Sequence, residues 1–186
     1  MSDWRDYFEI VESKYIVPNL EYQKVYIYKY RNVETLPENL PMPPTNVFDC
    51  MFLGCRSLIN IDGLKNWDTS KVISMKHMFY GCESLLNIDA LSNWDTSNVK
   101  VLNYAFCDCE SLTNLDALKN WNTNNVIDIH QIFLGCKSLT NIDALRSWNI
   151  EKVKNSLGMF SNCWKLVNPP MSVSEFKKFT NQPKSK

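Results

Sequence analysis

Residues 82–106 read CESLLNIDALSNWDTSNVKVLNYAF, and this arrangement returns every 27 residues along most of the chain. Five cysteines, five phenylalanines and four tryptophans keep the spacing. They are Cys55, Cys82, Cys109, Cys136 and Cys163; Phe52, Phe79, Phe106, Phe133 and Phe160; and Trp67, Trp94, Trp121 and Trp148. A fixed period of this length is typical of a solenoid, in which each unit buries its apolar face only by stacking on its neighbours. Because solenoids present long, regular surfaces, the pattern favours a binding function.

Each unit divides into segments of different periodicity. Leu85 and Ile88 have the spacing of a short strand, and Asp95-Thr96-Ser97 supplies the chemistry of a turn and a helix N-cap. Beyond that turn, apolar residues at steps of three and four predict a short helix. In the first such stretch they are Val72, Met75, Met78, Phe79 and Cys82. Since stacked strands lie about 4.8 Å apart and stacked helices about 8–10 Å apart, we expect an arc with the strands on its concave face.

The two ends of the chain depart from the period. Residues 1–44 are interpreted as a Tyr-rich N-terminal cap with an irregular first coil, in which YQKVYIYKY (22–30) predicts a strand. Residues 45–168 are predicted to form the repeat solenoid. Residues 169–186 are predicted to form a capping helix, opened by a Ser172-x-x-Glu175 capping box, and a disordered tail from Asn181 onward. Phe176 and Phe179 are expected to face the last coil.

The repeat unit also resembles a known family. The pattern C-x-S-L-x-N-I-D-x-L-x-N-W-D-T-S-x-V-x-x-M-x-x-M-F resembles the BspA-type leucine-rich repeats. It is more closely similar to their Trp/Phe-Asp-Thr-Ser subset, found in many surface proteins of bacteria and mycoplasmas. The resemblance covers roughly residues 48–168 and implies a right-handed leucine-rich-repeat solenoid used for adhesion or protein interaction. The predicted fold class is therefore α/β, a leucine-rich-repeat-like right-handed solenoid of about five 27-residue coils with a cap at each end.

Composition narrows the classes of partner. The 20 Lys and Arg balance the 20 Asp and Glu, so the formal net charge is zero. Because nucleic acids and anionic membranes usually demand a basic excess on one face, neither is a predicted partner. No apolar run approaches the roughly 18 residues of a membrane span, and MSDWRDYFEI at the start lacks the apolar core of a signal peptide. The sequence therefore predicts an intracellular protein, with a surface location as the alternative.

The seven cysteines are an odd number, and five of them share one repeat position. We predict that these five are buried, reduced and structural, because a buried free Cys behaves as a small hydrophobe. A disulfide or metal framework is the alternative, but zinc needs four converging ligands and a stack offers one neighbour above and one below. No metal site and no cofactor are predicted. The Trp row is predicted to be core, with an aromatic ligand platform as the alternative.

Two polar rows accompany the apolar ones. The first is Asn60, Asn87, Asn114, Asn141 and Asn168, and the second is Asp62, Asp89, Asp116 and Asp143. An identical amide in every coil predicts a hydrogen-bonded ladder along the stack. Stacked carboxylates would repel one another, so the Asp row needs compensation. Backbone N–H groups of the following turn are the predicted compensation, and a cation ladder is the alternative.

One row varies between coils and is the predicted partner-binding surface. It consists of Ile59, Leu86, Thr113, Thr140 and Val167. By strand alternation this row should face the concave side, and it is apolar enough to contact a partner. The sequence therefore predicts a non-catalytic, monomeric protein–protein interaction module with a protein partner of unknown identity. A surface adhesin or host-contact protein is the alternative, and an enzyme is a third reading.

The catalytic alternative depends on two histidines. His77 occupies the same repeat position as Cys50, so a Cys–His dyad is conceivable. Both residues lie in the stretch predicted as a helix, where neighbouring coils would be about 10 Å apart. His130 aligns with Lys76 and Asn103, at a position expected to be exposed. No catalytic residue is predicted.

Overall fold

A computed structural model of the chain describes residues 3–12 and 24–181. Its regular elements are the strands β1 (Phe8–Glu12) and β2 (Lys24–Tyr28) and the helix α1 (Val173–Asn181). Short 3-10 helices cover Trp4–Asp6, Asp62–Leu64, Asp89–Leu91, Asp116–Asn120 and Asp143–Ser147. The last four each begin at the Asp of a repeat. Between these elements the described chain forms turns and extended segments, wound into stacked coils.

The coils stack at the repeat period. Parallel bridges join Val47 to Ser74, Ser74 to Val101, Val101 to Asp128, and Asp128 to Asn155. Inside the stack the five repeat phenylalanines form a column whose successive ring centroids are 5.4–5.7 Å apart. The buried rows of all the coils join into one continuous hydrophobic core. The described residues therefore form a repeat solenoid, as the periodicity predicts.

The stretch predicted as a helix is instead a run of turns. In residues 75–82 the backbone N–H groups donate alternately to the next coil and to a carbonyl three residues back. The first set is Met75, His77, Phe79 and Gly81, and the second is Met78, Tyr80 and Cys82. His77 and Gly81 have φ angles of 53° and 71°, left-handed values that an α-helix does not contain. The apolar side chains are buried as expected, but the helix is wrong, and α1 is the α-helix of the described residues.

The stretch predicted as a strand is also not a strand. Residues 85–88 form no regular element and contact the preceding coil through the Leu86 N–H, which donates to the Ile59 carbonyl at 3.3 Å. Four parallel bridges among the described residues instead lie at Ser74 and its equivalents, inside the predicted helix, and one more joins Thr35 to Asn60 in the predicted strand of the first coil. Backbone hydrogen bonds thus join the coils on both sides of the stack. The predicted difference in spacing between stacked helices and stacked strands is therefore absent. The arc with a concave face was derived from that difference, so the structure gives this prediction no support.

A hairpin closes the N-terminal end of the stack. β1 pairs antiparallel with β2, with Phe8 opposite Tyr28, and β2 lies where alternation predicts a strand. The Tyr28 N–H donates to the Met51 carbonyl at 2.8 Å. The Phe8 ring packs against Phe52 and Trp67, each with centroids 6.1 Å away. The Tyr-rich segment therefore covers the first coil, although residues 13–23 of the predicted cap lie outside the described part.

Helix α1 closes the other end, as the capping box predicts. The Ser172 hydroxyl accepts a hydrogen bond from the Glu175 N–H at 3.2 Å. Phe176 is fully buried, and its ring meets Phe160 edge-on at 6.4 Å. Phe179 stacks on Phe176 at 5.8 Å, beneath the guanidinium of Arg146. The tail predicted to be disordered lies, from residue 182 onward, outside the described residues.

Candidate functional site

The predicted partner-binding row lies on the surface. Leu86 is 49% exposed and Val167 is 87% exposed, Thr113 and Thr140 are also exposed, and Ile59 is half-buried. Backbone hydrogen bonds hold the row in place between coils. The Leu86 N–H donates to Ile59 and the Thr140 N–H to Thr113, both at 3.3 Å. The row therefore offers side chains on a backbone that is hydrogen-bonded between coils at two points, and its role in binding stays a prediction.

The Asn row beside it acts within each coil. Each amide oxygen accepts the N–H of the Asp two residues later, which begins the 3-10 helix. The bonds run from Asp62 to Asn60, Asp89 to Asn87, Asp116 to Asn114 and Asp143 to Asn141, at 2.6–3.3 Å. The predicted ladder along the stack is therefore wrong, because a short amide side chain closes this local turn more readily than it reaches the next coil.

The Asp row is exposed to solvent at every coil. The Asp62 carboxylate accepts a hydrogen bond from the Asn60 side-chain amide at 2.9 Å. The Asp143 carboxylate accepts one from Arg146 at 2.8 Å. The repulsion between the carboxylates was predicted to be offset by backbone N–H groups. Side-chain donors also contribute, and water screens the repulsion that remains.

The Trp row is core, which confirms its structural interpretation. All four indoles are buried, and each donates its Nε1–H to a carbonyl of the preceding coil. For Trp94, Trp121 and Trp148 the acceptors are the Leu64, Leu91 and Leu118 carbonyls, at 3.2, 3.0 and 3.0 Å. Each Trp thus both fills the core and ties two coils together.

The repeat cysteines also form hydrogen bonds between neighbouring coils. All five are buried, as predicted, and carry free thiols in the structure. The thiols of Cys82, Cys109, Cys136 and Cys163 donate to the carbonyls of Phe52, Phe79, Phe106 and Phe133, at 3.1–3.3 Å. Burial raises the pKa of the Cys55 thiol to about 12 and that of Cys163 to about 11. Burial also raises the pKa of Cys82, Cys109 and Cys136 well above the usual value.

These pKa shifts predict an alkaline loss of stability. The unfolded chain begins to release thiol protons near the ordinary pKa of 9.0, whereas the folded core retains them. Rising pH therefore favours the unfolded state, by up to about 1.4 kcal/mol per pH unit for each thiol. We expect the urea midpoint to fall between about pH 8 and about pH 10, and to fall less steeply in Cys109→Ala. A midpoint that is flat over this range would contradict the burial of protonated thiols.

The hypothetical Cys50–His77 dyad has the wrong protonation properties for catalysis. Cys50 packs with Val25 and Ile27 in a second apolar cluster, and burial raises the pKa of its thiol to about 12. Burial lowers the pKa of His77 to about 4, helped by the positive charge of Lys76. At neutral pH both groups are therefore uncharged, whereas a reactive dyad needs a thiolate beside an imidazolium.

His77 instead belongs to a cluster of four rings that the sequence did not predict. Its ring stacks on Tyr104 with centroids 4.6 Å apart, and Tyr80 lies 5.7 Å away. Tyr104 meets His130 edge-on at 4.8 Å. His130 is partly buried and 2.7 Å from the Asp128 carboxylate, so its expected exposed position is wrong. Stacking at strand-like spacing places residues 27 apart in contact, and the His77/Tyr104 spacing was the available signal.

This ring cluster lines an open cleft of about 740 Å³. Tyr80 and Tyr104 form its wall with His77, and Asp108 and Arg56 lie along it. Burial raises the pKa of Tyr80, and the charge of the nearby Asp108 carboxylate raises that pKa further. The cleft crosses three coils, since most of its lining residues fall between 53 and 56, 77 and 83, and 104 and 110, and Arg31 lines it as well. Within the described residues, no three side chains of His, Cys, Asp or Glu converge as metal ligands.

Comparison with known proteins shows which family the chain belongs to. Residues 46–176 match the family model described as "Mycoplasma protein of unknown function, DUF285". The chain belongs to this family. The matched region of this DUF285 member holds the stacked coils and the start of α1, and β1 and β2 lie before it. The BspA-type assignment stays a resemblance, because the matching family carries a different description.

This DUF285 member is also weakly similar to a protein of known structure. A solved structure, the crystal structure of the T. pallidum leucine rich repeat protein, is similar at 19% identity and a TM-score of 0.48. The similarity covers 87% of this chain and 67% of that one. No curated protein matches significantly. None of the helices in residues 3–12 and 24–181 combines the length and apolarity needed to cross a membrane.

Proposed function

We propose that the chain is a non-catalytic, monomeric protein-interaction module that needs no cofactor and binds a protein through the row Ile59, Leu86, Thr113, Thr140 and Val167. The observation that carries the proposal is the exposure of Leu86 and Val167 at one repeat position. The core position next to Leu86, Leu85, is fully buried, and Leu166 beside Val167 is half-buried. Exposed apolar surface that is continuous along a protein marks sites of protein contact.

The backbone beneath this row supports the proposal. Each coil is fixed to its neighbours by hydrogen bonds and by the buried Trp and Cys ties. A surface built on such a frame loses little conformational entropy on binding, which favours affinity. The row also changes from apolar to polar and back, from Leu86 through Thr113 and Thr140 to Val167. That change gives a partner a pattern to recognise.

The proposal is tested by charge substitution on the row. We expect Leu86→Lys and Thr113→Lys each to remove the proteins that the immobilised wild-type chain captures from its host, because a Lys cannot be buried in an apolar contact without a large desolvation penalty. The thermal midpoint should hardly change, since both side chains are exposed. Lys65→Glu, which alters charge at an exposed residue outside the row, is the matched control. Capture that survives both row changes would rule the row out.

We propose further that the module works inside the cell. The seven buried cysteines support this, because long-lived extracellular proteins seldom retain many reduced thiols. Counting free thiols in protein isolated from its host under alkylating conditions separates the two locations. Seven free thiols support an intracellular module, and oxidised cysteines would favour the surface adhesin.

A further inference from the structure

The ring-lined cleft contains one buried polar atom without a hydrogen-bond partner, and a second lies on a neighbouring residue that does not line the cleft. His77 is 7% exposed, and its Nδ1 is buried without a hydrogen-bond partner. Beside it, the buried side-chain oxygen of Asn103 is also unpaired, while the Asn103 carbonyl accepts the His77 N–H at 3.1 Å. A buried polar group without a partner lowers stability by roughly 1–3 kcal/mol, so such groups are usually satisfied by something.

The charged side chains of the cleft also favour a ligand that pairs with a carboxylate. Arg56 is 3.2 Å from Glu83, and Glu110 is 2.7 Å from Lys137, so these four charges pair with one another. Asp108 receives a hydrogen bond from the Cys107 thiol, at 3.6 Å, and lies close enough to Tyr80 to raise the pKa of its hydroxyl. Among the described residues no cation lies within ion-pair distance of the Asp108 carboxylate. Asp108 is thus a carboxylate without a direct ion pair in a cleft walled by aromatic rings, although Arg31 and Arg56 also line this cleft and the Asp108 charge helps to raise the pKa of Lys137.

A guanidinium group fits this combination of features. It carries five N–H donors and no acceptor, it pairs with carboxylates, and it stacks on aromatic faces. The Asp108 carboxylate accepts hydrogen bonds, the His77 Nδ1 accepts one in the tautomer that carries the ring proton on Nε2, and the rings of Tyr80 and Tyr104 offer faces. We propose that this cleft binds the arginine side chain of an extended peptide segment, at a site separate from the row of Ile59 to Val167.

The dimensions of the cleft favour a peptide over free arginine. Most of its lining residues come from three successive coils, and the core rings of those coils are 5.4 and 5.6 Å apart. An extended peptide advances about 3.3–3.6 Å per residue, so about three residues cross the cleft. The Arg56 and Glu83 pair at its edge can exchange hydrogen bonds with a peptide backbone, which free arginine lacks.

The test uses the whole chain and three probes, with binding followed through backbone amide resonances. The probes are acetyl-Gly-Arg-Gly-amide, its neutral citrulline twin and free L-arginine. We expect the arginine peptide to shift resonances of the cleft, with citrulline binding on the order of tenfold more weakly because it lacks the charge. Free arginine should also bind more weakly than the peptide. Equal shifts from the citrulline and arginine peptides, or shifts confined to residues outside the cleft, would overturn the proposal, as would tighter binding of free arginine.

The repeat supplies variants that leave the fold intact. Asp108→Asn introduces the residue of Asn162, which occupies the same repeat position with a φ of 62°. Tyr80→Leu introduces the residue found at Leu53 and Leu134. We expect each to weaken the arginine peptide by about fivefold to tenfold, while Asp89→Asn, the same charge change at an exposed site, leaves binding unchanged. Unaltered binding in Asp108→Asn would remove the basis of the proposal, whatever the outcome at the Leu86 row.

Discussion

Trp121→Ala is expected to lower the free energy of unfolding by about 3–5 kcal/mol. Trp121 is buried, and its ring stacks on Trp148 at 6.4 Å and packs against Phe106 at 6.3 Å. Truncation leaves a cavity in the middle of the stack. It also removes the indole that donates to the Leu91 carbonyl at 3.0 Å. Because each coil is stabilised by the next, the loss should spread beyond one unit.

Urea denaturation of wild type and variant measures this loss. Trp4→Ala is the control, since Trp4 is only half-buried and packs on Tyr26 at 5.3 Å, outside the repeat. We expect the control to lose much less stability than Trp121→Ala. Similar losses in the two variants would mean that the repeat Trp row contributes nothing beyond the burial of an ordinary aromatic side chain.

Gly63→Ala is expected to lower the free energy of unfolding by about 1–3 kcal/mol, because it overpacks the junction with the first coil. A Cβ at Gly63 would lie 2.3 Å from the Pro37 carbonyl oxygen and 3.2 Å from the Leu36 Cβ. The first of these contacts is with backbone, which cannot move aside easily. The other coils carry Ala at this position, at Ala90, Ala117 and Ala144. The irregular first coil therefore approaches more closely than a regular one.

The reverse exchange provides the comparison. Ala117→Gly should lose only about 0.5–1 kcal/mol, through the added freedom of the unfolded chain and one lost methyl contact. Thermal or urea unfolding of both variants checks the expectation. If Gly63→Ala were neutral or stabilising, the close approach of Pro37 would have to be relieved by a shift of the first coil.

The sequence predicts which rows of side chains face inward better than it predicts the backbone conformation. The repeat period, the buried Phe, Trp and Cys rows and the Phe176 cap all follow from spacing. The helix fails because apolar steps of three and four also arise when turns repeat, as between Met75 and Cys82. The deciding information was conformational, since His77, Tyr104 and Gln131 take left-handed φ angles of 51–59°. Residues of these types rarely do so, and only the stacking of neighbouring coils makes it favourable.

The ring-lined cleft was missed for a related reason. A helical stack would have separated His77 from Tyr104 by about 10 Å, whereas their rings stack at 4.6 Å. Leu86, Thr113, Thr140 and Val167 are exposed although the strand from which their surface position was predicted is absent. Sequence reasoning could not place Asp108 beside Tyr80, since that contact depends on the fold of each turn.

The direction of the hydrogen bonds between coils has an electrostatic consequence. The N–H of Met75 points toward the C-terminal end of the stack, to Val101, while the N–H of Lys100 points the other way, to Ile73. The Trp121 indole and the Cys109 thiol also donate backward. The bond dipoles therefore oppose one another, whereas those of an α-helix add up to about half a charge at each end. The two ends of such a stack therefore carry less of the partial charge that a helix terminus presents to ions and charged side chains.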